Sequence, residues 1–338
     1  MTSLVVQTSF LGDMVLTTAL IAELATRGPV DVVATPASAP MLANNPHVRR
    51  VIVYDKRRSA RGILGFRRMA GEMRACGADA VYLAQGSVRS AALAFATGAA
   101  IRVGFATSAG RALYTRAIPY RKDLHHAARL WQLAGADGDP TADRIRPRLY
   151  PGAAERTAVD ALLAGAPDDG RPLVALAPGS VWATKRWPYY PQLARELAAV
   201  ARLVVVGSAD DRPLAEQIAA AAGPATVDAT GALSLLASAE LIGRCRVLVT
   251  NDSAPQHLAS AMGTATLAVF GPTVPAFGFG PLAPLSLILE HGGLDCRPCD
   301  KHGPPACPLG HWKCMRDLPA GDAAVRVRHL LSVPTQPT

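Results

Sequence analysis

Charged side chains follow short apolar runs at several points of the chain, where the ends of buried strands are predicted. Asp13 is the first, because it ends the loop 8–13 that follows the predicted strand 4–7. A carboxylate in such a loop can act as a general base that takes a proton from a hydroxyl. A carboxylate at the start of a helix can equally be an N-terminal cap worth about 1 kcal/mol. The position alone leaves both interpretations open.

A second loop, 177–180, follows another apolar run and leads to Lys185 and Arg186. Pro188 is placed where a helix could begin. A cation next to the free backbone N–H groups of a helix start forms an anion site that suits a diphosphate. A Lys–Arg pair on an ordinary surface would have the same sequence, so both interpretations stand.

A third loop holds Asp252 and Ser253 after the apolar run 247–250, with His257 one turn further on. Asp252 or Ser253 can cap the following helix, and the exposed amides of that helix could hold phosphate or ribose oxygens. A fourth loop, Gly271–Thr273, follows the next predicted strand and by itself indicates only a turn.

Four of the six cysteines lie within nineteen residues, at Cys296, Cys299, Cys307 and Cys314, with the spacing C-x2-C-x7-C-x6-C. Four soft ligands at short range predict a structural zinc site. An iron–sulfur cluster, redox-linked disulfides and a loop without metal are the alternatives that the spacing leaves open.

The elements that must position these loops alternate between short apolar runs and amphipathic stretches, which is typical of parallel sheets built from βαβ units. Two such series are separated by the polar stretch 165–172. We therefore predict an α/β fold of two doubly wound domains, 1–165 and 172–319, followed by a helix and tail, 320–338. Ligands bind beyond the carboxyl ends of strands in such sheets, so the active site is expected in a cleft between the domains.

Composition agrees with a two-domain globular protein and favours an anionic partner. The chain has 338 residues, half of them hydrophobic, and a formal net charge of +9. The basic residues concentrate between Arg49 and Arg74, a segment that suits phosphates, carboxylates or an acidic surface. No transmembrane run and no signal peptide are recognised, and a cytoplasmic location is expected. The dinucleotide fingerprint, the P-loop, HExxH and GxSxG are missing, which argues against the enzymes that use them.

The four loops together resemble glycosyltransferase family 9, the ADP-heptose:lipopolysaccharide heptosyltransferases. The matching strings are 7–13 (QTSFLGD), 178–180 (PGS), 185–188 (KRWP), 251–257 (NDSAPQH) and 270–273 (FGPT). The resemblance implies a GT-B architecture, in which two Rossmann-like domains face a central cleft and the last helix packs back on the first domain. The cysteine segment is similar to that of the second-heptose branch, heptosyltransferase II.

The resemblance also implies roles for single residues. Asp13 matches the general base of an inverting transfer, and Lys185 matches a catalytic lysine beside the donor diphosphate. The acceptor would lie on domain 1–165 and the donor on domain 172–319. The implied donor-binding residues are Ser9, Gly12, Pro178, Gly179, Ser180, Arg186, Asp252, Ser253, His257, Gly271, Pro272 and Thr273. No cofactor is implied for catalysis.

The implied donor is ADP-heptose and the implied acceptor is the lipid A–inner core of lipopolysaccharide. Arg57, Arg58 and Arg61 would bind the acceptor, and the protein would contact the anionic inner membrane from its cytoplasmic face. A protein that binds a sugar nucleotide without catalysing a transfer is one alternative, and two other functions stay open at this point. One is another GT-B nucleotide-sugar enzyme, with a different sugar or an epimerase activity. The other is a basic nucleic-acid-binding protein, which the low aromatic content and the lack of a recognisable finger disfavour.

Overall fold

The computed structural model describes residues 1–56, 62–135 and 138–334 and divides the chain into two units, Met1–Tyr150 and Pro151–Thr338. Each unit is described by itself below. They are called the first and the second unit.

In its described part, the first unit is a parallel six-stranded sheet with helices. Its strands are β1 (Ser3–Val6), β2 (Val30–Ala34), β3 (Arg50–Val53), β4 (Ala80–Leu83), β5 (Ile101–Phe105) and β6 (Arg116–Ile118), and its helices are α1 (Leu11–Ala25), α2 (Gly62–Arg74), α3 (Val88–Ala96), α4 (His126–Gln132) and α5 (Ala142–Ile145). The strand order is β3-β2-β1-β4-β5-β6. Successive strands are added on one side of β1 up to β3 and on its other side from β4 onwards. The order of the strands therefore reverses between β1 and β4, which is the ligand-binding position of doubly wound folds.

The second unit repeats this topology within its described residues. Its strands are β7 (Leu173–Ala177), β8 (Arg202–Val205), β9 (Val227–Asp228), β10 (Val247–Asn251), β11 (Ala265–Phe270) and β12 (Ser286–Glu290), and its helices are α6 (Ala153–Leu163), α7 (Tyr190–Leu197), α8 (Arg212–Ala222), α9 (Leu235–Arg244), α10 (Ala254–Met262), α11 (Lys313–Arg316) and α12 (Ala320–Ser332). The order β12-β11-β10-β7-β8-β9 places the corresponding reversal between β7 and β10. Single 3-10 turns lie at Ala39–Leu42, Arg111–Leu113, Ala183–Lys185, Ala209–Asp211 and Pro275–Phe277.

Burial explains why the strands are short apolar runs. Every residue of β1, β2, β4, β7 and β10 is buried, as expected of central parallel strands that are covered by helices on both faces. The loops that leave their carboxyl ends are the first positions where polar side chains can be accommodated. The strand ends therefore concentrate the chemistry of each unit at one edge of its sheet.

The division between the two units differs from the predicted domain boundary. The division falls at Tyr150–Pro151 rather than near residue 165, because α6 packs on α9 and Arg244 pairs with Asp160 of α6. The last helix, α12, belongs to the second unit, where Val327 and Leu330 are buried in the core that α7 also lines. Its apolar face is covered by the second sheet and α7, and its packing on the first domain stays a prediction.

Within the described ranges, no helix is both long enough and apolar enough to cross a lipid bilayer.

Candidate active site

Asp13 lies at the carboxyl edge of the first sheet, in the first turn of α1. It is not the helix cap, because that position is occupied by Phe10 and no side chain caps the helix. Instead, its Oδ2 is 2.6 Å from Ser9 Oγ. Its Oδ1 is 3.9 Å from Nε2 of His126, the first residue of α4. Asp13 is therefore a first-turn carboxylate that does not cap the helix and is contacted by other side chains.

Gln7, at the end of β1, extends this group of side chains. Its Oε1 accepts hydrogen bonds from the backbone N–H of Ser9 (3.2 Å) and lies 2.6 Å from Ser9 Oγ. Its Nε2 donates to Thr17 Oγ1 (3.2 Å), and Thr17 in turn donates to the backbone carbonyl of Asp13 (2.6 Å). Gly12, which was implied to bind the donor, lies inside α1.

Polar groups from the neighbouring strand ends reach the same loop. Lys56, after β3, donates from Nζ to the carbonyl of Thr8 (3.0 Å). Gln85, after β4, donates to Thr8 Oγ1 and to Ser90 Oγ. The first unit thus collects carboxylate, hydroxyl, amide and ammonium groups at the reversal between β1 and β4.

Asp252 is the centre of the corresponding group in the second unit. Its Oδ2 accepts hydrogen bonds from Lys185 Nζ (2.6 Å) and Thr273 Oγ1 (2.6 Å), and its Oδ1 accepts one from Gln256 Nε2 (2.9 Å). The side chains of Lys185 and Asp252 are only 10% and 11% exposed. The structure therefore brings together three of the predicted residues from three separate loops, with an ammonium group in a largely dehydrated position.

The loop after β7 is fixed against β10. Asn251 Nδ2 donates to the carbonyl of Pro178 (2.9 Å), and Arg186 Nε donates to the carbonyl of Ser180 (2.9 Å). Gly179 must lack a side chain, since an added Cβ would lie 2.3 Å from Asp211 Oδ1. Arg186 is thus occupied in holding the loop.

Ser253 is the N-cap of α10 but its hydroxyl does not cap the helix; it lies 3.4 Å from Thr250 Oγ1. His257 is buried in the first turns of the same helix. The backbone N–H groups at the start of α10 therefore lie next to the Lys185–Asp252 pair, which is the arrangement that binds anions at helix starts.

The cysteine segment does not form the predicted metal site. Among the described residues, no three His, Cys, Asp or Glu side chains are grouped so that they could hold a metal ion, and the cysteines are unpaired by disulfides. Cys314 is buried in the core of the second unit, where burial raises the pKa of its thiol to about 11. The Cys314 thiol is near enough to Cys296, Cys299 and Cys307 to interact with them electrostatically. The four side chains are nevertheless not arranged as a metal site in the described residues, and the zinc or iron–sulfur prediction gains no support.

The same segment instead packs on the candidate donor site. Thr184 donates to the carbonyl of Pro304, and the backbone N–H of Cys299 donates to the carbonyl of Pro272 (2.9 Å). Gly303 has a φ of +87°, and an added Cβ would lie 3.3 Å from Lys185 Cε. Gly271 has no room for a side chain either, because an added Cβ would lie 2.6 Å from the side chain of Met315 in α11.

Arg297 anchors this segment and was not singled out from the sequence. Its side chain is 6% exposed. It donates to the backbone carbonyls of Phe270, Gly271, Thr273 and His291 and to Glu290 Oε2. One arginine thus fixes the loop that carries Thr273. An arginine beside four cysteines carries no distinctive spacing, so nothing in the sequence pointed to it.

Arg57, Arg58 and Arg61, which were predicted to bind the acceptor, lie outside the described residues. Arg49 and Arg50 of the same basic segment have a structural task, because both pair with the fully buried Asp31, at 2.7 and 3.0 Å. Burial alone would raise the pKa of Asp31, but these hydrogen bonds hold that pKa below its usual value. Arg67 and Arg68 on α2 are exposed.

A family model, sequence relatives and solved structures all relate this chain to one family. The model of glycosyltransferase family 9 (heptosyltransferase) matches residues 66–309. The chain is 27% identical to lipooligosaccharide heptosyltransferase 2 of Haemophilus influenzae, across 98% of this chain and all of the relative. It is 30% identical to lipopolysaccharide heptosyltransferase 1 of Pseudomonas aeruginosa, across 88% and 86% of the two chains.

The fold agrees with that of the solved structure of Escherichia coli ADP-heptose lipopolysaccharide heptosyltransferase II. The TM-score is 0.78 at 24% identity, with 98% of each chain covered. The predicted α/β class and GT-B fold are thereby confirmed, as is the predicted resemblance to heptosyltransferase II. With a family match that spans most of its length, the chain belongs to glycosyltransferase family 9, the heptosyltransferase family.

Proposed function

We propose that this protein transfers heptose from ADP-heptose to the inner core of lipopolysaccharide, with inversion at the anomeric carbon. The names of its relatives support the substrate class. The observation that carries the mechanism is the position of Asp13, whose carboxylate is held by Ser9 and faces His126 instead of capping α1. A carboxylate that the fold does not need for capping is available for proton transfer.

In this proposal the acceptor binds to the first unit and its hydroxyl approaches Asp13. Asp13 takes the hydroxyl proton while the acceptor oxygen bonds to the anomeric carbon, and the bond from that carbon to the donor diphosphate breaks. ADP leaves with the electron pair of the broken bond. A single displacement of this kind inverts the anomeric carbon.

The donor diphosphate would bind to the second unit, between the loop after β7 and the start of α10. Lys185 is the group that balances the growing charge on the leaving phosphate, together with the backbone N–H groups at Ser253 and Ser180. Preorganised donors of this kind stabilise transition states by about 3 kcal/mol each. With an ammonium in this place, we propose that catalysis needs no metal ion.

We propose further that the basic segment, including Arg57, Arg58 and Arg61, meets the phosphates and carboxylates of the inner core. The same positive charge suits an anionic membrane surface, where each basic residue contributes about 1 kcal/mol. The protein would then work at the cytoplasmic face of the inner membrane. This part of the proposal rests on charge and on the acceptor class alone.

The test measures turnover and donor binding separately. In Asp13→Asn we expect turnover of heptose transfer to fall by about 100-fold or more, since general base catalysis contributes about 10²–10⁴-fold. Calorimetric titration should give the same Kd for ADP as the natural protein. Asp210→Asn, which alters an exposed carboxylate of the second unit, is the control. Full turnover in Asp13→Asn would refute the general base.

A second experiment tests whether catalysis needs a metal ion and whether the anomeric carbon is inverted. Turnover is measured with and without EDTA, and the anomeric configuration of the product is determined by NMR. We expect unchanged turnover and an inverted product. A product of retained configuration, or activity lost with EDTA and restored by a divalent cation, would contradict the displacement described above.

A further inference from the structure

Ser9 holds a single hydroxyl proton between two acceptor oxygens. Its Oγ is 2.6 Å from Gln7 Oε1 and 2.6 Å from Asp13 Oδ2. A serine hydroxyl donates one hydrogen and can accept two. Two such short contacts to acceptors are therefore satisfied together only when one of the neighbouring groups also brings a proton. Of the two, only the carboxyl group of Asp13 can do so.

The orientation of Gln7 cannot reverse this conclusion. Its amide nitrogen donates to Thr17 Oγ1, whose own proton is used on the carbonyl of Asp13. Its amide oxygen accepts the backbone N–H of Ser9. Turning the amide over would place its nitrogen against the N–H of Ser9 and its oxygen against a hydroxyl with no proton left to give. Gln7 and Thr17 are both buried, so the amide oxygen stays directed at Ser9.

We infer that Gln7 and Ser9 are positioning residues that hold the carboxyl group of Asp13 in both of its protonation states. This inference rests on the proposed role of Asp13. Before the reaction, Asp13 is ionised and Ser9 donates its proton to Oδ2. After the acceptor has given its proton to Asp13, that proton lies on Oδ2 and is donated to Ser9 Oγ. The proton of Ser9 turns to Gln7 Oε1.

No hydrogen bond is lost in this exchange. The acceptor oxygen gains its bond to the anomeric carbon, ADP leaves with the electron pair, and the proton released ends on Asp13. The protein must turn only two O–H bonds, that of the protonated Asp13 carboxyl group towards Ser9 Oγ and that of Ser9 towards Gln7 Oε1. Donors and acceptors that are already in place require little reorganisation during the reaction, which is how preorganised sites lower barriers.

This role differs from the one that the family resemblance implies for Ser9. As a donor-binding residue, Ser9 would affect the affinity for ADP-heptose. As a positioning residue for the base, it would affect turnover and leave donor affinity unchanged. Ser9→Ala separates the two, and Ser9→Thr keeps the hydroxyl. Thr26→Ala is the matched control, because the Thr26 hydroxyl donates to the carbonyl of Glu23 at the other end of the same helix.

In Ser9→Ala we expect kcat to fall about 10-fold or more, the scale of a hydrogen bond to a charged group. KM for the donor and Kd for ADP should change less than about twofold, since neither depends on the protonation of Asp13. Ser9→Thr should restore most of kcat. Gln7→Met, which removes the final acceptor and keeps the volume, should also lower kcat with Kd unchanged.

Combining the substitutions with Asp13→Asn completes the test. If Ser9 acts through Asp13, then Ser9→Ala lowers turnover no further in the Asp13→Asn background. A weaker affinity for ADP-heptose with unchanged kcat in Ser9→Ala would overturn the inference and assign Ser9 to the donor. Unchanged kcat in Gln7→Met would overturn it as well. Full activity in Asp13→Asn is a different outcome, because it would refute the proposed role of Asp13 as the general base.

Discussion

At the scale of single residues, the Lys185–Asp252 pair is the feature with the largest energetic consequence. Both side chains are about nine-tenths buried, and Asp252 receives two further hydrogen bonds. Removing one partner of such a pair leaves a dehydrated, uncompensated charge, which costs about 3 kcal/mol or more. We expect Lys185→Ala to lower the free energy of unfolding by about this amount, and to weaken ADP binding as well.

The double variant Lys185→Ala/Asp252→Asn removes the leftover charge. Urea unfolding should show that it regains about 1–2 kcal/mol of the loss, whereas ADP binding stays weak. A double variant that is less stable than Lys185→Ala would show that Asp252 stabilises the unit through Thr273 and Gln256 rather than through the lysine.

Much of this site could be predicted from the sequence, because Asp13, Lys185, Asp252 and Thr273 each follow an apolar run that had to be a buried strand. The contacts that these side chains make with one another could not be predicted. Lys185 and Asp252 are 67 residues apart, and only the sheet order brings their loops together. Gln7 and Arg297 were missed for the same reason, since their importance lies in their partners and not in their spacing.

At the scale of elements, the segment between β12 and α11 is held on the end of β11 by Arg297. We expect Arg297→Met to weaken ADP binding about 10-fold and to lower the free energy of unfolding by about 2 kcal/mol, since several backbone carbonyls lose a charged donor. Calorimetry and urea unfolding measure the two effects. Arg316→Met, an exposed arginine on α11, is the control, and equal effects of both substitutions would contradict the anchoring role.

The alternation of strands and helices was predicted well because burial on both faces makes parallel strands uniformly apolar. Strand β6 was missed, since Arg116 and Ala117 are exposed at the sheet edge and carry no apolar pattern. The metal site was predicted from cysteine spacing, but spacing does not reveal that Cys314 points into a core. The role of α6 was misjudged because a helix preceding a polar stretch gives no sign of which sheet it covers.

At the scale of the whole molecule, the position of the boundary is testable with two fragments. Residues 151–338 keep α6 on α9, whereas residues 166–338 expose the apolar face of α9 and break the pairing of Arg244 with Asp160. We expect the longer fragment to unfold cooperatively and at a higher urea concentration than the shorter one. If both fragments unfold at the same urea concentration, residues 151–165 do not stabilise the second unit, and the boundary lies near residue 165.

The path of the chain has a consequence for how such enzymes diversify. Since α12 remains with the second unit, one contiguous stretch builds each unit, and in the described residues the backbone passes from one to the other once, at Tyr150–Pro151. A single recombination event at that junction would exchange one complete half. If the proposed function is right, replacing the first 150 residues would change the acceptor, in evolution or in the laboratory, and leave the proposed sugar-nucleotide site of the second unit intact.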